Sequence, residues 1–239
     1  MPVITYFPPN DHIYFTNTTN SLLYTNNTLS WNVSSSTNNK TYVRQDVSLL
    51  YKDGLFEGYM NIWKNPGKQL QIHKDFPYPQ SGFYESISVH YSEFHREQEI
   101  FSTAEMNGVS LQLDCKKQSC TEIDLENFSF TNQTSPIQTH WRELMTYFNV
   151  EKEEYTSIAL SALEKYAHTP LPSFTQEETD AIILHLWEGL YANYVVGIME
   201  TSEQKRAHYM PLVLFNHDEI KILYEINGKK EQLIQKISH

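Results

Sequence analysis

The sequence predicts an α+β fold: an antiparallel β meander followed by three helices and a C-terminal antiparallel hairpin sheet, arranged around a buried central helix. Three observations predict it. Between Thr41 and Phe130, alternating apolar runs are punctuated by turn dipeptides; from Ser135 the apolar spacing changes to three and four; from Tyr209 alternating runs return. Strands, then helices, then strands is an order without the strand–helix alternation that a parallel sheet needs.

Residues 1–40 form the first predicted segment. Met1 to Phe15 is irregular and contains Pro8 and Pro9, and nineteen of the twenty-six residues from Thr16 to Thr41 are Asn, Thr or Ser. Such a composition buries little, so it predicts a polar tail or linker. Leu29, Trp31 and Val33 alternate within it as one short anchoring strand. The remaining 41–239 reads as an α+β body, divisible into a β part, 41–134, and a helical and hairpin part, 135–239.

In the β part, Tyr42–Tyr51 and Leu55–Trp63 flank Asp53-Gly54, a tight-hairpin signal because glycine tolerates the positive φ such turns require. Asn65-Pro66-Gly67 marks the next reversal, Leu70–Phe76 a third strand, Pro77–Gly82 a turn and Phe83–Phe94 a fourth strand. Asn107-Gly108 and the Cys115–Cys120 loop are read as two further reversals.

Helical spacing begins with Ser135 as cap and Pro136 in the first turn, followed by the stripe Ile137, Trp141, Leu144, Met145 and Phe148. A second helix carries Tyr155, Ala159, Ala162, Leu163 and Tyr166, and breaks before Pro170 and Pro172. The third is the central one. Thr175 and Glu178 form a capping box, and Ile183, Trp187, Leu190, Tyr191, Tyr194 and Ile198 fall on one face. Apolar residues fill most of the remaining circumference, which predicts a helix enclosed on several sides, while Gly189 and Gly197 predict close approach by another backbone. Asp180, His185, Glu188 and Asn193 argue against a membrane span. Strands Tyr209–Phe215, Ile220–Ile226 and Lys230–Ile237 close the chain, the last two joined by Asn227-Gly228.

Composition bounds the function. The net charge is −11 and no cluster of Lys or Arg exceeds a pair, so the sequence offers no basic face for nucleic acid or an anionic membrane. Cys115 and Cys120 are the two cysteines; a bridge across a turn is sterically possible and suits an oxidising compartment better than a metal site lacking further ligands, while two unrelated reduced thiols fit the same spacing. Met1–Phe15 has neither the basic start nor the apolar core of a signal peptide, and the polar segment has the composition of a tether to an anchor upstream of Met1. Asn-x-Ser/Thr triplets begin at Asn17, Asn26, Asn32, Asn39, Asn127 and Asn132, a frequency that a chain so rich in these residues produces by chance.

Two groups are candidates for chemistry. In an extended strand Glu93, His95, Glu97 and Glu99 alternate onto one face, with His90 nearby, and could gather carboxylates and imidazole around a cation; a solvated strand face gives the same pattern. His185 and Glu188 lie one turn apart on the central helix and read as a polar strip. No nucleophile elbow, phosphate loop, dinucleotide fingerprint or paired-cysteine zinc spacing occurs, so no catalytic residue, metal or cofactor is assigned. Tyr59, Trp63, Phe76, Tyr78, Phe83, Tyr84, Tyr91 and Phe94 are read mainly as core, with any exposed members available to a glycan, peptide or lipid.

The function expected is a non-enzymatic extracytoplasmic or cell-surface module that binds a protein or small ligand. The alternatives are a hydrolase or metal-binding protein using the His90–Glu99 cluster, and a cytoplasmic acidic inhibitor or immunity-type protein that meets a basic partner.

Overall fold

The structure, a computed structural model, describes residues 13–116, 119–123, 136–171, 174–200 and 208–237. It divides the chain into two compact units, one of Thr5–Lys52 and Glu57–Ser129, the other of Met1–Ile4, Asp53–Phe56 and Phe130–His239. Pro8, Pro9, Lys117, Gln118, Ser135, Pro172 and the triplets at Asn127 and Asn132 lie outside the described residues.

The predicted fold class needs correction. Strands make up 60% of the protein and helices 23%, so it is mainly β, with three sheets in place of one meander and a hairpin sheet. The difference begins in the polar segment. In chain order the first eight strands are β1 (Phe15–Thr25), β2 (Thr28–Thr41), β3 (Val43–Lys52), β4 (Leu55–Lys64, of which Glu57–Lys64 belong to the first unit), β5 (Gly67–Pro77), β6 (Gly82–Arg96), β7 (Glu99–Lys116) and β8 (Ser119–Ile123). They form two antiparallel sheets, ordered β1-β2-β5 and β4-β3-β6-β7-β8.

The Asn, Thr and Ser run is therefore two long strands, joined at Asn26 and Asn27 with φ of 50° and 60°. Asparagine reaches that left-handed conformation more readily than most residues, which suits a two-residue hairpin turn. A strand requires apolar residues on one face only, and Leu29, Trp31 and Val33 supply it. With Leu22 they pack against Leu50, Met60, Tyr84, Leu111 and Leu113 of the larger sheet, giving a sandwich. Asn107-Gly108 is not a reversal. It lies inside β7, paired with Ser88 and Ile87, and the chain turns instead at Glu97-Gln98, where Glu97 has φ 54°.

The second unit contains β9 (Thr156–Ala159), β10 (Leu212–Phe215), β11 (Glu219–Ile226) and β12 (Lys229–Lys236) in the antiparallel order β12-β11-β10-β9. Helix α1 (Pro136–Tyr147) lies on one face, with Leu144 and the half-buried Trp141, Met145 and Phe148 against Leu212, Leu214 and Leu223. The second predicted helix is a correction too: residues 156–159 are strand β9, and Leu160–Ala167 is a 3-10 helix. β10 pulls Thr156–Ala159 into the sheet by backbone pairing, which overrides the helical spacing read from the side chains.

The central helix comprises α2 (Gln176–Leu190), a π turn at Tyr191–Val195 and α3 (Val196–Glu200). The Thr175–Glu178 capping box forms as predicted. By length and composition Gln176–Met199 is apolar enough to cross a membrane, at mean hydropathy 1.2, with half of that stretch buried. It is covered along one side rather than enclosed. Ile182, Leu186, Trp187 and Leu190 are buried, and the same face continues through the π turn as Tyr191, Tyr194, Val195 and Ile198. Ala181, His185, Ala192 and Asn193 are exposed, and Ile183 is half-buried. Tyr194 meets Tyr224 of β11 edge to face, with ring centroids 5.5 Å apart. The two helix glycines admit side chains and not a backbone: a Cβ on Gly197 would lie 3.0 Å from Ile226 Cγ1, and one on Gly189 would lie 3.5 Å from Leu233 Cδ1.

Candidate functional site

Alternation fixes what enters the sandwich interior. Past the apolar residues of β2, the same inward face continues as Ser35 and Thr37; β3 contributes Arg44, Asp46 and Ser48, and β6 contributes Ser86, Ser88, His90 and Ser92, all buried. Half of the interior is thus polar and must satisfy itself.

Ser35 donates to both Asp46 carboxylate oxygens, at 2.8 and 2.7 Å, and accepts from Arg44 Nη2. Arg44 Nη1 donates to Thr37 Oγ1 at 3.0 Å and to the Lys68 carbonyl at 2.8 Å, and the guanidinium lies 5.0 Å from the Phe15 ring centroid. His90 Nε2 lies 2.9 Å from Asn107 Oδ1, and its Nδ1 lies 3.1 Å from Asp46 Oδ1, near enough for an ion pair but misdirected for a hydrogen bond. Burial lowers the Arg44 pKa, an effect that Asp46 only partly offsets. Ser35, Asp46 and His90 resemble the inventory of a catalytic triad, but the serine hydroxyl is committed to the carboxylate and solvent reaches none of the three. The arrangement holds structure.

The predicted cluster on β6 does not converge. Because the chain turns at Glu97-Gln98, Glu97 occupies the turn and Glu99 begins β7 opposite Arg96, whereas His90 is inside the sandwich. Glu93 and His95 alone make contact, through a short carboxylate–Nε2 hydrogen bond. No group of three or more His, Cys, Asp or Glu side chains among the described residues could hold a metal ion. His185 and Glu188 form an exposed pair 3.8 Å apart on the open side of the central helix. Cys115 and Cys120 face each other across β7 and β8 and are bridged, with S–S 2.01 Å.

What remains open is one end of the sandwich, where β1 and β3 begin, β2, β4 and β6 end, and β5 begins. Tyr14, Tyr42 and Trp63 reach solvent there, 54%, 48% and 53% exposed. Tyr14 is tied to Asn38 through backbone and side chain, and Tyr42 stacks on His95 with ring centroids 3.9 Å apart. Most of the other aromatics singled out in the sequence are at least half-buried: Tyr84 and Tyr91 are buried and Phe76 stacks on Trp31, whereas Tyr78, 74% exposed, belongs to the opposite end.

At the same end of the sandwich a cleft of about 480 Å³ is lined by Lys40, Lys64, Pro66, Gly67, Lys68 and Gln69. Sequence reasoning missed it because its lysines come from three separate strand ends. A second, smaller cleft of about 210 Å³ lies in the other unit, lined largely by Leu171, Phe174, Phe215, Ile220 and Ile237.

Fold and surface together define a mainly β protein whose eight-stranded sandwich carries exposed aromatic rings and a lysine-lined cleft at one end. No family model and no curated protein sequence matches the chain. Two solved structures of Parabacteroides merdae β-glucuronidase, one with glycerol in its active site, are similar over 43% of this chain and 14% of that enzyme. The identity is 12% and the TM-score 0.28, too low to carry any argument about ligand or activity.

Proposed function

We propose that the protein is an extracytoplasmic binding module that recognises a small ring-bearing ligand, with a sugar as the best-fitting class, on the open end of its sandwich. The observation that carries this reading is that Tyr14, Tyr42 and Trp63, each about half exposed, all stand at strand ends on the same end of one sandwich. Such rings offer apolar faces with polar edges, which suit the C–H face and hydroxyl rim of a sugar. Strand ends tied into a packed core hold them in place, so little ordering entropy opposes binding. The Cys115–Cys120 bridge supports an oxidising compartment.

Affinity electrophoresis through gels containing soluble polysaccharides tests the reading. Retardation of the wild type by at least one of them, abolished in Trp63→Ala and reduced in Tyr42→Ala, is expected. Equal migration of wild type and Trp63→Ala in every gel would contradict it.

A further inference from the structure

The lysine-lined cleft at this end has its own chemistry. In a chain of net charge −11, three of the 18 Lys and Arg residues line this one concavity. None of Lys40, Lys64 and Lys68 forms an ion pair among the described residues, and no carboxylate lines the cleft. An anion placed in this cleft meets three cationic side chains and no like charge among the lining residues.

The floor is fixed from beneath. The Lys68 carbonyl accepts from buried Arg44 Nη1 at 2.8 Å, and the Gly67 carbonyl accepts from buried Thr41 Oγ1 at 2.9 Å. A Cβ on Gly67 would lie 3.3 Å from Lys64 Cβ and 3.4 Å from Arg44 Cγ, so the backbone sits tightly on its neighbours there. Lys68 therefore projects from backbone that the interior network holds in position.

We infer that this cleft binds a phosphate or sulfate group carried by the ligand whose ring rests on Tyr42 and Trp63. The inference rests on the proposed reading of this end as a binding surface. A single compact oxyanion fits better than a continuous polyanion, because Glu93 on β6, Glu97 in the turn and Glu99 on β7 stand at the same end and would repel a chain of phosphates.

Titration calorimetry of the full chain with glucose, glucose 6-phosphate, glucose 6-sulfate, inorganic phosphate and a short thymidine oligonucleotide tests it, with Lys64→Gln/Lys68→Gln and Trp63→Ala as variants. Expected is tighter binding of the two charged sugars than of glucose, weakened at least about tenfold in the double glutamine variant and restored in Lys64→Arg/Lys68→Arg. Inorganic phosphate binding that is lost in the same variant also supports the oxyanion site, and glucose 6-phosphate binding no tighter than phosphate would make the free ion its source. Equal binding of glucose and glucose 6-phosphate, indifferent to the lysines but lost in Trp63→Ala, overturns the oxyanion site and leaves the aromatic surface standing. Binding of neither sugar nor phosphate overturns both. Oligonucleotide binding tighter than that of glucose 6-phosphate overturns the inference in favour of nucleic acid. Lys40→Gln, which removes one of the three cations, is expected to weaken the charged sugars less than the double change.

Discussion

Arg44 and Lys68 meet where the interior of the sandwich becomes its surface: the buried guanidinium donates through Nη1 to the Lys68 carbonyl at 2.8 Å, while the Lys68 side chain stands in the open cleft. The same guanidinium reaches Ser35 and Thr37, and Ser35 holds Asp46. A charge network with no access to solvent thus terminates in the backbone of the proposed site.

Breaking that network from one side is costly. Asp46→Ala leaves Arg44 as an uncompensated buried cation and is expected to destabilise the protein by about 3–5 kcal/mol. Arg44→Met/Asp46→Leu removes both charges and is expected to cost less than Asp46→Ala alone. Urea unfolding midpoints of the three proteins check this; a double variant less stable than Asp46→Ala would show that the pair contributes more than its own compensation.

Glu219 predicts an acid-labile sheet in the second unit. Its carboxylate accepts hydrogen bonds from Lys221, Lys236 and Tyr155, which together hold its pKa down to about 2, against the opposing effect of burial. A carboxyl with a depressed folded pKa contributes stability that is complete above the unfolded value near 4.5 and is lost as pH falls toward 2. Thermal unfolding followed from pH 6 down to pH 2, in steps of about half a unit, should show Glu219→Gln with a shallower decline below pH 4.5 than the wild type.

His140 acts in a higher window. Buried and stacked on Tyr209 with ring centroids 4.2 Å apart, its imidazole is held neutral by desolvation, so its pKa lies below 6.5; Glu225 and Glu143 oppose this, and Lys230 reinforces it. The unfolded chain binds the proton more readily, so stability falls as pH drops below about 6.5. His140→Phe keeps the stack and should flatten the decline between pH 6.5 and pH 5, measured by the urea midpoint across that range.

Gly54 occupies a position that no side chain fits. Its φ is 77°, and an added Cβ would lie 2.2 Å from Ile137 Cδ1 and 2.7 Å from Ile137 Cβ. Gly54→Ala combines backbone strain with overlap against α1 and is expected to cost about 2–4 kcal/mol. Gly54→Ala/Ile137→Ala should recover the steric part and retain the conformational part, a difference visible in denaturant unfolding.

Much of this architecture was legible in the sequence where local chemistry decides it. Asp53-Gly54 and Asn227-Gly228 turn as their dipeptides require, with φ of 51°, 77°, 54° and 76°, and Thr175 with Glu178 caps the helix that follows. Where pairing between distant strands decides, the sequence misled. The Asn and Thr of β1 and β2 carry no apolar signal beyond one face, so only their partners in β5 and the larger sheet reveal them as strands. Asn107-Gly108 is a turn dipeptide held straight because β6 pairs along the whole length of β7. Arg44 and Asp46, two apart in a strand otherwise rich in apolar residues, were a readable sign of buried charge. The lysine cleft had no such sign, since Lys40, Lys64 and Lys68 become neighbours only when three strand ends meet.

Hydrogen–deuterium exchange with and without a saturating sugar ligand tests the binding surface most directly. Slower exchange confined to the backbone around Tyr14, residues 38–44 and residues 62–69 is the predicted result. Protection concentrated instead around Tyr78 at the opposite end, or around the cleft of Phe174 and Phe215, would contradict it.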